Sequence, residues 1–136
     1  MKYIIKGSNS KEMLLELTYK GELVNRKVVI FSHGFKGFKD WGCFPLVSKY
    51  FVENNFVFIN FNFSHNGTTL ENPTIFDDLE SFGNNNFSKE LFDLDKVIDF
   101  VYDKIKNPEI TLLGHSRGGG ISILKSSIDS RIKKIV

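Results

Sequence analysis

The sequence of 136 residues is 41% hydrophobic and 25% charged, and its formal net charge is +2. These values are typical of a soluble globular protein with one domain at most, and the length is enough to bury a hydrophobic core. The small charge and the dispersed basic residues argue against a nucleic-acid partner. The single cysteine, Cys43, excludes a disulfide within the chain, and no metal-ligand spacing is present.

The apolar segments limit where the protein can reside. Residues 1–13 contain no apolar stretch long enough for a secretory signal. No run approaches the length of a transmembrane helix. We therefore expect a cytoplasmic protein with no membrane partner and no cofactor.

The first part of the chain predicts strands followed by a helix. Short strands are predicted at residues 3–6 and 13–19, with a turn at Ser8-Asn9-Ser10 between them. The apolar run 27–31 fits a strand that is buried on both faces, and a glycine-rich loop follows it. Pro45 suits the first turn of a helix. The predicted apolar face of that helix comprises Leu46, Val47, Tyr50 and Phe51.

The middle of the chain predicts a second buried strand, at residues 56–61, and then a long polar loop from Asn62 to Asn86. Ser88 is the predicted N-cap of the next helix, with Phe87 and Phe92 as a hydrophobic staple. The apolar stripe of this helix comprises Leu91, Leu94, Val97, Ile98, Val101 and Ile105.

The last part predicts a third buried strand at residues 109–114, a helix at about 117–127 and the start of another strand at 132–136. Strands that alternate with helices predict an α/β fold with a mostly parallel, doubly wound sheet and flanking helices. Active sites in such sheets lie at the carboxyl ends of the strands. The three segments at those ends are SHGF, SHNG and GHSRG.

The segment from Gly114 to Gly118 reads G-x-S-x-G, with Ser116 at its centre. It directly follows a buried strand and opens a helix, which is the setting of a nucleophile elbow. Gly114 and Gly118 are expected where strand and helix approach closely, and Gly119 and Gly120 are expected to extend that packing. The alternatives are a glycine-rich turn with an incidental serine N-cap, or an anion site at a helix N-terminus.

The SHGF segment predicts an oxyanion hole. Acyl transfer needs two donors aimed at the developing oxyanion. One donor is predicted to be the N–H of Arg117, the residue after the serine. The other is predicted to be the N–H of Phe35, because Gly34 lets that backbone turn inward. His33 is expected to play a structural role by hydrogen-bonding to neighbouring backbone.

Through these motifs the sequence resembles the α/β-hydrolase superfamily, and most of all its small esterases, dienelactone hydrolases and serine-aminopeptidase-like members. The resemblance spans nearly the whole chain, from VVIFSHGFKGFKDWG through FVFINFNFSHNG to ITLLGHSRGGG. It implies that Ser116 is the nucleophile, that Phe35 and Arg117 form the oxyanion hole, and that the substrate is a small acyl compound.

The catalytic base is the missing part. In this family the serine is followed along the chain by an acid and then by a histidine. No histidine follows Ser116, and the only later acidic residue, Asp129, is predicted to be a turn residue. Of the three histidines, His33 lies in the oxyanion loop and His115 should point away from the serine. His65 is the least implausible base, but it is expected to line the pocket or cap a turn.

Other reactive side chains have simpler interpretations. Asp77, Asp78 and Glu80 are predicted to form a solvated acidic face. Cys43 lies near the start of a helix, and nothing pairs it with a base.

Two interpretations follow from the missing base. In the first, residues 1–136 are the N-terminal portion of a single α/β-hydrolase domain, and the triad Asp and His belong to a complementary C-terminal half. In the second, the chain is a catalytically inactive remnant that binds a small acyl or anionic ligand or a complementary chain. In the first case the residues bordering the substrate would be Trp41, Phe35, Phe38 and the segment around His65.

Overall fold

The computed structural model describes all 136 residues. The strands are β1 (Lys2–Lys6), β2 (Glu12–Thr18), β3 (Lys27–Ser32), β4 (Val57–Phe61), β5 (Glu109–Gly114) and β6 (Ile132–Ile135). The α-helices are α1 (Phe44–Glu53), α2 (Leu79–Gly83), α3 (Phe87–Lys104) and α4 (Arg117–Ile128). None of these helices combines the length and the apolarity that crossing a bilayer would require.

One sheet of six strands, in the order β1-β2-β4-β3-β5-β6, forms the centre of the molecule. Strand β3 pairs in parallel with β4 and β5, and β6 extends the parallel part beside β5. Strand β2 is antiparallel to both of its neighbours, β1 and β4. A short 3-10 turn at Ser8–Ser10 reverses the chain between β1 and β2. The predicted mostly parallel, doubly wound sheet is confirmed, with two antiparallel strands at one edge.

Helices cover both faces of the sheet. In β3, Val28 and Ile30 belong to the core shared with α3 and α4, whereas Val29 and Phe31 belong to the core shared with α1. Alternate side chains of one strand therefore enter two different cores, which explains its continuous apolar sequence. The apolar stripe predicted for α3 is buried at Leu94, Val97, Ile98, Val101 and Ile105, and Leu91 packs against it.

Helix α1 buries a face that differs in part from the predicted one. Phe44 and Val52 are buried, whereas Leu46 and Tyr50 are 69% and 63% exposed. The helix begins at Phe44, whose ring centre lies 4.4 Å from that of Phe31. This aromatic anchor sets the rotation of the helix against the sheet. The two predicted residues that do pack against the core are Val47 and Phe51.

Asn86, not Ser88, is the N-cap of α3. Its Oδ1 accepts a hydrogen bond from the N–H of the third helical residue at 3.0 Å. The helix therefore starts at Phe87, and the predicted staple with Phe92 is replaced by another contact. The Phe87 ring stacks under the Arg117 guanidinium, with 4.2 Å between the guanidinium carbon and the ring centre. Asparagine and serine are equally good caps, so residue type alone does not separate these two positions.

The segment predicted to be a long polar loop is partly buried and contains a short helix. Residues 62–68 are buried, and α2 occupies residues 79–83. Asp78 caps α2 by accepting a hydrogen bond from the Ser81 N–H, and it pairs with Lys11. Hydrogen bonding to Lys11 lowers the pKa of Asp78 to about 2. Asp78 is therefore a structural cap rather than part of a solvated acidic face.

Candidate active site

The carboxyl ends of β3 and β5 lie side by side, with Ser32 paired to Gly114. The chain adds β4 on one side of β3 and later β5 on the other side. Such a topological switch point opens a crevice at the carboxyl ends of the strands. The sheet thus brings together the predicted serine turn and the predicted oxyanion loop.

Ser116 occupies the tight turn between β5 and α4. Its backbone has φ of 53° and ψ of −118°, a region that residues other than glycine rarely adopt. Such strain costs about 1–3 kcal/mol and persists only where the surrounding structure imposes it. The residue is exposed, and its side chain makes no capping hydrogen bond. The structure therefore does not support an ordinary serine N-cap.

Close backbone approach requires two glycines of the motif. A Cβ on Gly118 would lie 2.1 Å from the Ser32 carbonyl oxygen, and one on Gly114 would lie 2.5 Å from the Gly118 carbonyl oxygen. A Cβ on Gly119 would be tight, at 3.3 Å from the Gly114 carbonyl oxygen. Gly120 has no neighbour within 4 Å, so the prediction that it extends this packing is wrong.

The loop after β3 approaches the serine through Gly34. A Cβ on Gly34 would lie 3.2 Å from the Ser116 Cβ. The backbone N–H groups of Phe35 and Arg117 have no hydrogen-bond partner in the chain. Arg117 is the first residue of α4, where an N–H has no acceptor within the helix. Two unpaired donors therefore belong to the two loops that meet at Ser116, as an oxyanion hole requires.

The side chain of Arg117 is held on α3. Its Nε donates to both carboxylate oxygens of Glu90, at 3.0 and 2.8 Å. The Glu90 side chain is only 5% exposed, and it also accepts a hydrogen bond from Asn85 Nδ2 at 2.9 Å. These contacts fix the first residue of α4 and direct its guanidinium towards α3.

His33 connects the oxyanion loop to the loop after β4. Its Nδ1 lies 2.9 Å from the Gly34 carbonyl oxygen, which can only accept, so Nδ1 carries the proton. Its Nε2 accepts a hydrogen bond from the Phe63 N–H at 3.3 Å. Burial lowers the pKa of His33 to about 4, so the imidazole is neutral at physiological pH. Both nitrogens are engaged with backbone, and His33 makes no hydrogen bond to Ser116.

This buried imidazole is expected to make stability depend on pH. The folded chain takes up the His33 proton at a lower pH than the unfolded chain, whose histidine has a pKa of about 6.5. Stability from this residue is therefore lost as pH falls from 6.5 towards 4, by about 2 kcal/mol between pH 7 and pH 5. Urea unfolding of wild type and His33→Gln at both pH values measures this loss. Equal losses in the two proteins would contradict the assignment.

His65 is also tied to its neighbours. The imidazole is buried, and its Nδ1 lies 2.7 Å from Ser64 Oγ. The Ser64 hydroxyl donates to Asp93 Oδ2 at 2.7 Å. Burial lowers the pKa of His65, and the nearby Lys89 adds to this effect. His65 makes no hydrogen bond to Ser116, so the structure does not bring this alternative base into contact with the serine.

The other candidate groups make no hydrogen bond to the Ser116 side chain. His115 is exposed, and its ring centre lies 5.6 Å from that of Phe44. Asp129 accepts a hydrogen bond from the Arg131 N–H, and Arg131 lowers the pKa of Asp129. This contact gives Asp129 the turn role that was predicted. Cys43 is exposed and free, and no cluster of His, Cys, Asp and Glu side chains could hold a metal ion.

A cavity of about 160 Å³ opens beside the Ser116 turn, and we call it the Trp41 cavity. Phe35 and Trp41, two of the residues predicted to border a substrate, line it. Phe38 does not, because it packs towards Phe76, with 6.3 Å between the ring centres. The full lining is Gly34, Phe35, Lys36, Gly37, Trp41, Phe44 and His115.

Sequence reasoning missed two buried carboxylates on α3. Asp93 accepts hydrogen bonds from the backbone N–H groups of Ser8 and Ser64, at 2.6 and 2.8 Å. Glu90 accepts hydrogen bonds from Arg117 Nε through both of its carboxylate oxygens. Both residues lie on the apolar stripe of α3, next to Leu94, and a charged residue at such a position is the signal that could have identified them.

Several solved structures are similar to this chain. The esterase Est1E from Butyrivibrio proteoclasticus, solved with ferulic acid bound, is 18% identical with a TM-score of 0.78, and the match covers 98% of this chain and 50% of Est1E. A serine hydrolase homologue from Coxiella burnetii is 20% identical with a TM-score of 0.74, covering 99% and 60%. A cold-adapted esterase from an Arctic intertidal metagenomic library is 14% identical with a TM-score of 0.78, covering 98% and 57%.

No protein-family model and no curated protein matches the sequence. The chain spans between 42% and 60% of the length of the similar structures, which is consistent with the predicted N-terminal portion. Identities at this level establish the fold alone. The sheet order, the helices on both faces and these similarities together show that the chain has the α/β-hydrolase fold.

Proposed function

We propose that this chain supplies the nucleophile and the oxyanion hole of a serine hydrolase that acts on an ester, a thioester or an amide. The observation that carries the proposal is the strained, exposed turn at Ser116. The backbone N–H groups of Phe35 and Arg117, in the two loops that meet at this turn, are unpaired. Strained residues of this kind concentrate at functional sites. The esterases among the similar structures add support at the level of the fold.

In the proposed reaction, Ser116 Oγ attacks the acyl carbon and its proton passes to a base. The carbonyl oxygen becomes an oxyanion that accepts hydrogen bonds from the N–H groups of Phe35 and Arg117. Collapse of this intermediate breaks the bond to the alcohol, thiol or amine, which takes the proton from the base. Water then hydrolyses the acyl-serine.

The base and its orienting acid are expected from outside these 136 residues. None of the three histidines makes a hydrogen bond to Ser116, and a serine without a base is a weak nucleophile. A complementary C-terminal half would supply both groups. This chain alone is therefore expected to acylate slowly and to turn over little.

A fluorophosphonate probe tests the nucleophile directly. We expect covalent labelling of the folded chain, faster when a complementary half is present, and complete loss of labelling in Ser116→Ala. Mass spectrometry of proteolytic fragments identifies the labelled residue.

The matched control is Ser127→Ala on the same helix. Ser127 is exposed, and its hydroxyl bonds only to the Leu124 carbonyl oxygen at 2.7 Å. This variant should label like wild type. If the folded chain fails to label both alone and with a complementary half, or if Ser116→Ala still labels, the proposal is wrong.

A second candidate function is the binding of a complementary chain without catalysis. Strand β6 pairs only with β5, so its other edge is open. Ile135 at the end of this strand and Val136 directly after it are 45% and 74% exposed. An open edge with apolar side chains is a surface on which another strand can pair. Absence of fluorophosphonate labelling in a folded chain would favour this candidate.

A further inference from the structure

The Trp41 cavity lies next to the Ser116 turn, because Gly34 and His115 both belong to its lining. Gly34 forms part of its wall, and a Cβ on Gly34 would lie 3.2 Å from the Ser116 Cβ. The cavity therefore borders the candidate nucleophile. Phe35, whose N–H is a proposed oxyanion donor, is part of the same wall.

Four of the seven residues that line the cavity carry aromatic rings, namely Phe35, Trp41, Phe44 and His115. Phe44 is only 6% exposed, and its ring lies against Phe31. The Trp41 ring centre lies 5.9 Å from that of Phe44, with the two rings tilted by 55°. The His115 ring centre lies 5.6 Å from that of Phe44, with the two rings tilted by 60°. Tilted rings present both faces and edges, which are the surfaces that another aromatic ring prefers to contact.

A buried lysine anchors the loop that carries Trp41. The Lys39 side chain is 1% exposed, and its Nζ lies 2.6 Å from Glu16 Oε2. The Lys39 N–H donates to Asn62 Oδ1 at 2.7 Å, and its carbonyl oxygen accepts from Asn60 Nδ2 at 3.0 Å. These contacts hold the wall in place before a ligand binds, so little ordering cost remains for binding.

The volume suits one ring. An apolar cavity of about 150 Å³ is large enough to hold benzene, and the Trp41 cavity measures about 160 Å³. Lys36 is the one lysine or arginine in the lining, and it is exposed and forms no ion pair. A carboxylate on the ligand is therefore compatible with the charge of the wall.

We infer that the Trp41 cavity is an acyl subsite for a planar aromatic ring of benzoyl size. The inference depends on the proposed function in one respect, which is that Ser116 is the residue that becomes acylated. Aromatic contacts are worth roughly a three- to tenfold difference in affinity beyond burial of area.

Trp41 is the only tryptophan of the chain, so its fluorescence reports on the cavity. We compare titrations with benzoate and with cyclohexanecarboxylate, which have the same charge and a similar size but differ in planarity. A saturable change is expected, with benzoate binding roughly three- to tenfold more tightly. Equal affinities, or a response to benzoate that does not saturate, would overturn the inference.

Phe44→Leu replaces the ring that contacts both Trp41 and His115 by an aliphatic side chain, and it should abolish the preference for benzoate. The control is Tyr50→Leu on the same helix, because Tyr50 is 63% exposed and does not line the cavity. This control should keep the preference. A Phe44→Leu protein that is folded by circular dichroism and still prefers benzoate would contradict the assigned site.

The titration involves no covalent step, so its outcome is separate from fluorophosphonate labelling. A benzoate preference without labelling would remove the proposed function and leave an aromatic ligand site. Labelling of Ser116 without a benzoate preference would leave the hydrolase proposal and remove the aromatic subsite.

Discussion

Replacing Gly118 by alanine is expected to lower the free energy of unfolding by about 3 kcal/mol, the upper end of the usual cost of overpacking. The added Cβ would lie 2.1 Å from the Ser32 carbonyl oxygen and 2.5 Å from that of His33. Both are backbone atoms, so neither can rotate away. Helix α4 would have to move off β3, which would separate Ser116 from the oxyanion loop. Urea unfolding followed by circular dichroism measures the loss.

Gly120→Ala is the matched control, two residues along the same helix. Nothing lies within 4 Å of a Cβ at Gly120, and its backbone is helical. Alanine is favoured over glycine in a helix by roughly 0.5–1 kcal/mol, so this variant should be more stable than wild type. A Gly118→Ala protein as stable as wild type would contradict the close contact of helix and strand.

Replacing Asp93 by alanine is expected to destabilise the fold by about 3 kcal/mol. The carboxylate accepts hydrogen bonds from Ser8 N, Ser64 N and Ser64 Oγ, at 2.6, 2.8 and 2.7 Å. Each buried donor that loses its acceptor costs about 1–3 kcal/mol. The loss would also free the loop that leads from β4 to His65. Urea unfolding of the wild type and the variant at neutral pH measures the difference.

Asp103→Ala is the control for this second substitution. Asp103 lies on the same helix, its side chain is 73% exposed, and it pairs only with Lys104, so its removal should change stability by less than about 0.5 kcal/mol. Equal stability losses in the two variants would contradict the role of Asp93.

The pH dependence of Asp93 has the opposite sign to that of His33. Burial raises the pKa of Asp93, so the folded chain binds its proton more tightly than the unfolded chain does. The ordinary pKa of an aspartate is 3.8. As pH falls towards this value, the wild type should therefore gain stability relative to Asp93→Asn.

Local sequence predicted the strands and the main helices because each has a short-range signal. Strand β5 has the predicted bounds, and β3 extends only one residue further, to Ser32. The exact cap of α3 was not predictable, because Asn86 and Ser88 are both good caps. The rotation of α1 was not predictable either, because the aromatic contact of Phe44 with Phe31 joins residues of different elements.

The candidate site also combines features that the local sequence predicts with features that it does not predict. The turn at Ser116 and the glycines beside it follow from a local motif, since a tight strand–turn–helix needs those residue types. The interactions of His33, His65 and Asp93 depend on which loops the folded sheet brings together. No spacing along the chain encodes them.

The sequence by itself determined the α/β class, the serine at the elbow and the absence of any later histidine, because these depend on periodicity and on residue identity. Only the tertiary structure decided that the donors in both loops are unpaired, that the buried Lys39 anchors the Trp41 loop, and that Asp93 joins three segments. These features depend on burial and on contacts between residues far apart in the chain, which arise only when β3, β4 and β5 are placed side by side in the sheet.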